Sequence, residues 1–269
     1  MSVIINGTDG VSTPNTFAFK NRLIDAGFII NQRGYTSGTA LSAGSYGHDR
    51  WKAGSGGATY TFTQGSLGVN TTITITAGTL VQVIEGCNLA EGGTYVLSWT
   101  GTAQGRLNGG TYGASGTVVI TGWTAGTNLN VEFNTGTLGS VQLETGNQAT
   151  SFDYRPYGTE LALCQRYYWK FVAGNTNVYG SGGNLFSNNV RVSISTKVTM
   201  RSNPSFGSSA ANTFIVQGAG GNATPSAISM INSGVDSVYL SLTATTTANA
   251  SYTLIDAANA SYIELSSEL

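Results

Sequence analysis

Apolar and polar residues alternate along most of this chain. Tyr60 and Phe62 stand between threonines, Ile73 and Ile75 likewise, and Val81 and Val83 flank Gln82. That is the period of strands with one buried and one wet face. Tyr95, Leu97 and Trp99 share a face, and Val118 to Ile120, Leu129 to Phe133 and Val141 to Leu143 continue the pattern. Together they predict about eight strands over ~140 residues, the size of a jelly-roll sandwich. Leu23, Phe28 and Ile30 are expected to point into the same core. Residues 2–18 hold the turn dipeptides Asn6-Gly7 and Asp9-Gly10 and then Pro14, which mark short extended pieces between tight turns. Such a segment cannot enclose a core of its own. It is expected either to lie as an edge strand on the following domain or to pair with other copies of the chain.

The period changes between Val141 and Lys170. Val141 and Leu143 read as a strand, and Phe152 and Tyr154, alternating with Asp153 and Arg155, predict a returning one. After Pro156 the spacing of Leu161, Cys164, Gln165 and Tyr168 puts them on one side of a short helix at about 159–168, with Thr159 as its cap and Glu160 in its first turn. Beyond residue 170 helical periodicity is absent, and the run Gly180 to Asn184, GSGGN, reads as a loop before a strand from Asn189 to Val198. The expectation is an all-β chain in three parts: an N-terminal extended oligomerisation segment at 1–18, a jelly-roll sandwich at 19–156, and a second small β-sandwich domain at 157–269 that opens on the short linking helix.

Charged residues make up 9% of the chain against roughly 25% in an ordinary soluble protein, so Ser, Thr, Asn, Gln and Gly must cover the surface. The 13 Tyr, 10 Phe and 4 Trp supply too much apolar area for a disordered chain. A net charge of −1 with no basic stripe removes the main driving force for nucleic-acid binding. No apolar run reaches the ~18 residues that cross a bilayer, so no membrane insertion is expected, and MSVIINGTDG lacks the basic and apolar segments of a signal peptide. Cys87 and Cys164 stand far apart in apolar surroundings and are expected as two buried free thiols.

Candidate chemistry is sparse. A Ser-His-Asp hydrolase needs an imidazole, and the one histidine, His48, sits in a Gly-flanked turn beside Asp49 where an exposed loop residue is expected. The neighbouring Asp49, Arg50 and Trp51 read as an Asp-Arg pair fixing the entry of a buried Trp. Glu85, Glu91, Glu132 and Glu144 each read as the polar member of an alternating strand rather than as half of a glycosidase pair. Two cysteines and one histidine have no zinc-site spacing. No catalytic residue, metal or cofactor is expected.

One stretch carries a resemblance. Gln142 to Tyr168, QLETGNQATSFDYRPYGTELALCQRYY, closely resembles a segment of bacteriophage tail fibres and related virion proteins that links a jelly roll to a C-terminal β domain, with Asp153 where that family more often has Glu. The run from Asn21, NRLIDAGFIINQRG, and Leu80 to Trp99 resemble carbohydrate-binding-module jelly rolls. At 25–27 Asp-Ala-Gly replaces the Asn-Gly-Asp of such modules, and with it goes the expectation of their structural calcium. Met200 to Phe206 and Tyr262 to Leu269 resemble the same phage family, so the likeness spans residues 21–269. The opening residues resemble phage strands that interleave about a three-fold axis. The resemblance implies a homotrimer that attaches to other virion proteins through its N-terminal segment and is made in the host cytoplasm. It implies either a receptor-binding tail fibre that recognises host cell-surface polysaccharide without catalysis, or a structural appendage on head, neck or baseplate. Sugar binding by β modules stacks an aromatic ring on a pyranose face while neutral or charged polar groups bond the hydroxyls. The candidates for that role are the loop aromatics Tyr35, Tyr46, Tyr112 and Trp123 in the first domain and Tyr179 in the second.

Overall fold

The computed structural model describes residues 4–6, 10–12, 19–172, 178–186, 188–218, 221–257 and 261–269. They divide into two compact units, Met1–Leu161 with Leu269, and Ala162–Glu268. The chain is all-β, as the alternation requires, and every strand pairing among the described residues is antiparallel.

The first unit opens with a two-strand pair, β1 (Ile4–Asn6) and β2 (Gly10–Ser12), in register Ile5↔Val11. Gly7, Asp9 and Pro14 lie outside the described residues. An eight-stranded sheet follows, from β3 (Ala40–Leu41), β4 (Lys52–Phe62), β5 (Ile73–Ile84), β6 (Gly93–Thr100), β7 (Gly105–Leu107), β8 (Val118–Trp123), β9 (Leu129–Phe133) and β10 (Gly136–Thr145). The strand β10 makes it a jelly-roll-like sandwich. Its first residues, Gly136–Leu138, pair with β5, and after a register shift Gln142–Thr145 pair with β6. The shift contains Ser140 at φ 44°, the kind of bulge that bends one strand from one layer into the next. Trp51, Tyr60, Tyr95, Leu97, Phe133, Val141 and Leu143 fill the enclosed core, together with Leu23 and Phe28, which point inward from a segment that forms no strand. Each such side chain contributes about 1.5–3 kcal/mol by leaving water.

Polar side chains hold the irregular entry to this sandwich. The Asn21 side chain accepts from the Leu143 N–H (3.1 Å) and donates to Val141 O (2.8 Å), and Gln82 exchanges two bonds with the Ile24 backbone (2.9 and 2.8 Å). The buried Asp25 carboxylate accepts from the N–H groups of Ile29 and Ile30. Trp51 Nε1 donates to Asp25 O (2.9 Å). Asp49 forms an ion pair with Arg33 (3.6 Å) and accepts from the Gln32 N–H (3.0 Å), while Arg50 donates to Val83 O (2.7 Å).

In the stretch after β10, Val141 and Leu143 lie on β10, but residues 152–156 form no strand. Side chains do the holding there: Asp153 N–H donates to Gln142 Oε1 (2.8 Å), and Tyr154 is largely exposed. Arg155 pairs with Glu160 (2.9 Å) and donates to Leu23 O (2.8 Å), while Glu160 accepts from Asp25 N–H. The helix α1 (Tyr157–Gln165) begins before Thr159, with Glu160 N–H on Pro156 O, so Thr159 lies inside the first turn and caps nothing. Tyr168 already belongs to the next strand. The boundary between the units falls inside α1.

The second unit comprises β11 (Tyr168–Val172), β12 (Val178–Phe186), β13 (Asn189–Ser195), β14 (Ser205–Ser208), β15 (Phe214–Gly218), β16 (Gly221–Ala223), β17 (Ala227–Ser233), β18 (Ser237–Thr243), β19 (Ala250–Asp256) and β20 (Tyr262–Ser266). A seven-stranded sheet runs β16-β15-β19-β12-β13-β18-β17, and a three-stranded sheet runs β11-β20-β14. Their inner faces share one core of Trp169, Val192, Ile194, Phe214, Leu240, Tyr252, Leu254 and Leu265. The glycine run at 180–184 is no loop; it lies within β12. A Cβ on Gly182 would collide with the Arg191 carbonyl oxygen of the neighbouring strand, so the glycine permits the pairing it seemed to interrupt.

Two further expectations are corrected. Cys87 is exposed, in a short 3-10 turn at Gly86–Leu89 where Leu89 takes the inward place; Cys164 is buried, and both are free thiols. His48 is fully buried. Its backbone N–H donates to Tyr60 Oη (2.8 Å), whose own proton can serve His48 Nδ1 (3.0 Å), leaving Nε2 to donate to Gln64 Oε1 (3.4 Å). Phe62 meets the imidazole edge-on at 4.5 Å. Burial pushes its pKa down to about 4.

A depressed histidine pKa makes acid unfavourable for the fold: below the unfolded value of about 6.5 the unfolded chain takes the proton first, and stability falls until the folded value is reached. Buried Asp25, whose pKa burial raises, acts in the opposite sense, so the informative quantity is the difference between variants. Urea unfolding at about pH 7.5 and about pH 4.5 should show wild type losing about 2–3 kcal/mol more than His48→Gln over that interval. Equal losses would contradict the assignment.

Candidate functional site

Four of the five loop aromatics stand in the first unit, each half-buried and already engaged. Tyr35 packs against Tyr60 (4.6 Å between rings) and donates its hydroxyl to Thr39 O (2.5 Å). Trp123 leans on the core from β8 and donates Nε1 to Thr127 O (3.2 Å). Tyr46 carries the Arg33 guanidinium 4.8 Å from its ring centre. Tyr112 carries Arg106 at 4.5 Å and donates its hydroxyl to Glu132 (3.1 Å), while Arg106 and Glu132 form an ion pair at 2.7 Å. The Glu132 contact holds Arg106 more firmly charged, and burial with the nearby carboxylate raises the Tyr112 pKa.

Register brings two of these together. Lys52, Val81, Glu132 and Arg106 are direct partners across β4, β5, β9 and β7, and Tyr46 bridges to Lys52. Tyr46 and Tyr112 therefore flank one charged row whose acid is occupied by Arg106 and Tyr112. A separate cavity of about 10 Å³ in the first unit, lined by Asn21, Gly27, Asn70, Asp153 and Arg155, has room for one water and no sugar.

The fifth candidate is overturned by its position. Tyr179 is buried in the second core, edge-on to Phe171 (4.8 Å) and Phe214 (5.3 Å), with its hydroxyl on Ser261 O (2.7 Å). Its ring has no face to offer a ligand.

The outer face of the seven-stranded sheet holds a different aromatic. In Ser237–Thr243 the buried residues are Val238, Leu240 and Leu242, so Tyr239 must point outward, and it is 38% exposed. Beside it lies an open hollow of about 400 Å³ lined by Ser193, Asn232, Ser233, Gly234, Ser237 and Val238. That volume falls in the range of small-ligand sites. Tyr239 pairs with Ser193 on one side and Asn232 on the other. Ser193 pairs with Ser181, Ser181 with Thr253, Thr253 with Gln217, and Gln217 with Asn222. Every strand of the sheet thus contributes one neutral hydrogen-bonding side chain to a single row. Among the described residues of these strands, Arg191 is the one charged side chain on the outward positions, in the next row. Hydroxyls and amides both donate and accept. An exposed ring among them can stack on a pyranose while its neighbours bond sugar hydroxyls.

A reading confined to loop aromatics passes over Tyr239 because it sits mid-strand. The signal was present in the alternation of SVYLSLT, which sends its apolar aliphatics inward and its aromatic out. Among the described residues no cluster of three His, Cys, Asp or Glu is placed to hold a metal. Compared with family models, curated proteins and solved structures, the chain matches none.

The two tyrosines should separate cleanly in stability. Tyr179→Ala removes a buried ring and should cost about 3–5 kcal/mol, whereas Tyr239→Ala should stay within about 0.5 kcal/mol of wild type. Urea midpoints of the second unit check this, and equal losses would show that Tyr239 is a packing residue.

Proposed function

We propose that the chain is a bacteriophage tail fibre that adheres to a host cell-surface glycan and catalyses nothing. The observation that carries glycan recognition is Tyr239, an exposed ring over an open hollow, flanked in register by Ser193 and Asn232. The phage assignment rests on the resemblance of Gln142 to Tyr168. Within that stretch Arg155 and Glu160 have structural work, binding the Asn21 to Asp25 segment of the first unit.

Adhesion without catalysis also suits the state of the acids and the histidine. Glu91 pairs with Arg22, Glu132 with Arg106, and Glu144 is buried and accepts from Gln142 (2.7 Å) and Thr150 (2.8 Å). His48 is enclosed by aromatic rings with both ring nitrogens in hydrogen-bonding contact. In this proposal three copies associate through the N-terminal segment, which also joins the fibre to other virion proteins. Three weak sites on one particle then act together, since linkage raises the effective concentration of each further contact.

A second reading has its own support: Tyr35, Tyr46, Tyr112 and Trp123 are all spent on internal contacts, as expected if the jelly roll is a structural relic and the chain an appendage of head, neck or baseplate. Purified protein with host cells separates the two. The adhesin should bind cells, Tyr239→Ala should weaken binding roughly fivefold to tenfold per site, and no reducing sugar should appear on long incubation with host polysaccharide. Capture of another virion protein with no cell binding would favour the appendage. Sugar release would make it an enzyme, and a monomer by light scattering would remove the trimer.

A further inference from the structure

We infer that the ligand is an uncharged polysaccharide lying across the strands of the second unit's seven-stranded sheet, along the row Asn222, Gln217, Thr253, Ser181, Ser193, Tyr239 and Asn232. This rests on the glycan reading and adds the ligand's charge, its extended form and its path.

Register supplies the path. Each neighbouring pair in the row consists of direct cross-strand partners, so the seven side chains lie on one line perpendicular to the strands. Strands stand about 4.8 Å apart, which makes the row roughly 29 Å long, several times the length of one sugar ring. Successive hydroxyl and amide groups therefore recur at a spacing close to that of successive rings in an extended glycan. The inner members are short: Thr253, Ser181 and Ser193 rise little above the sheet, and the adjacent row begins Ser251, Gly183. A chain can approach the backbone closely along this track, while Tyr239 gives it one stacking platform near the β17 end.

Charge selects the ligand class. The row contains no Asp, Glu, Lys, Arg or His, and the neighbouring row has Arg191 between Gly183 and Ser241. A polymer with an anion in every repeat would leave most of its charges without a cation while losing hydration. A neutral polymer meets groups that both donate and accept wherever its hydroxyls fall. Serine and threonine also lose little side-chain entropy on contact compared with long lysine or glutamine side chains.

The test uses the full chain against a panel of neutral and acidic glycans, each as disaccharide and as longer oligomers, with wild type, Tyr239→Ala and Ser181→Lys. Urea midpoints first establish that the variants remain folded. Binding to a neutral glycan should strengthen with length beyond the disaccharide. Tyr239→Ala should weaken every length, whereas Ser181→Lys, two strands away from Tyr239, should spare the disaccharide and weaken the long oligomer roughly fivefold or more. Affinity that stops rising at the disaccharide, with Ser181→Lys indistinguishable from wild type, would overturn the extended path and leave glycan binding standing. Preference for acidic oligomers would overturn the neutral class. Binding to no glycan by the folded chain would overturn both this inference and the glycan reading beneath it.

Discussion

Antiparallel register is the constraint on which both units depend. Once two strands are paired, every second residue is committed to one face, and a slip of one position would turn a core outward. In β13 that commitment puts Val190, Val192 and Ile194 inside and Arg191, Ser193 and Ser195 outside. The same registration, carried across six neighbouring pairings, aligns the outward residues into rows. The core and the proposed binding track are thus two faces of one pattern.

The low charge of the chain changes what such a face can do. Ordinary wet sheet faces carry lysines and glutamates, which blunt edges and discourage sticking but also repel or attract ligands by charge. On the seven-stranded sheet the outward positions hold mainly Ser, Thr, Asn and Gln, with Arg191 the one charged side chain there among the described residues of its strands, and several charged groups elsewhere are spent on structure. In the first unit Arg155 and Glu160 hold the Asn21 to Asp25 segment, Arg106 and Glu132 cross-link β7 and β9, and Arg33 holds Asp49. In the proposed fibre, weak contacts repeated along a row, and again on each copy of the proposed trimer, would give adhesion from individually small terms.

Strands and core were legible in the sequence because alternation is a local property. Tyr95, Leu97 and Trp99, or Val141 and Leu143, show their inward face within a few residues. What escaped depends on residues far away. His48 looks like an exposed turn residue until Tyr60, Gln64 and Phe28 close over it. Phe152 and Tyr154 alternate like a strand, but the partner for Asp153 is the Gln142 side chain rather than a neighbouring backbone. Gly182 reads as a turn residue, and only its approach to Arg191 shows why a strand would need it. Tyr179 stands beside a glycine run that suggested a loop and so suggested exposure; within β12 it faces the core, where Ser261 receives its hydroxyl. Tyr239 was the reverse case, readable from alternation alone once strands as well as loops are searched for binding aromatics.

The central claim, that the outer face of the seven-stranded sheet is the contact surface, is tested most directly by NMR of the chain labelled at its 13 tyrosines and titrated with a neutral oligosaccharide that it retains. The account predicts that the Tyr239 signals shift progressively with ligand while those of Tyr35, Tyr112 and buried Tyr179 stay in place. Movement of Tyr112 or Tyr46 with Tyr239 unperturbed would contradict it and place the contact on the charged row of the first unit.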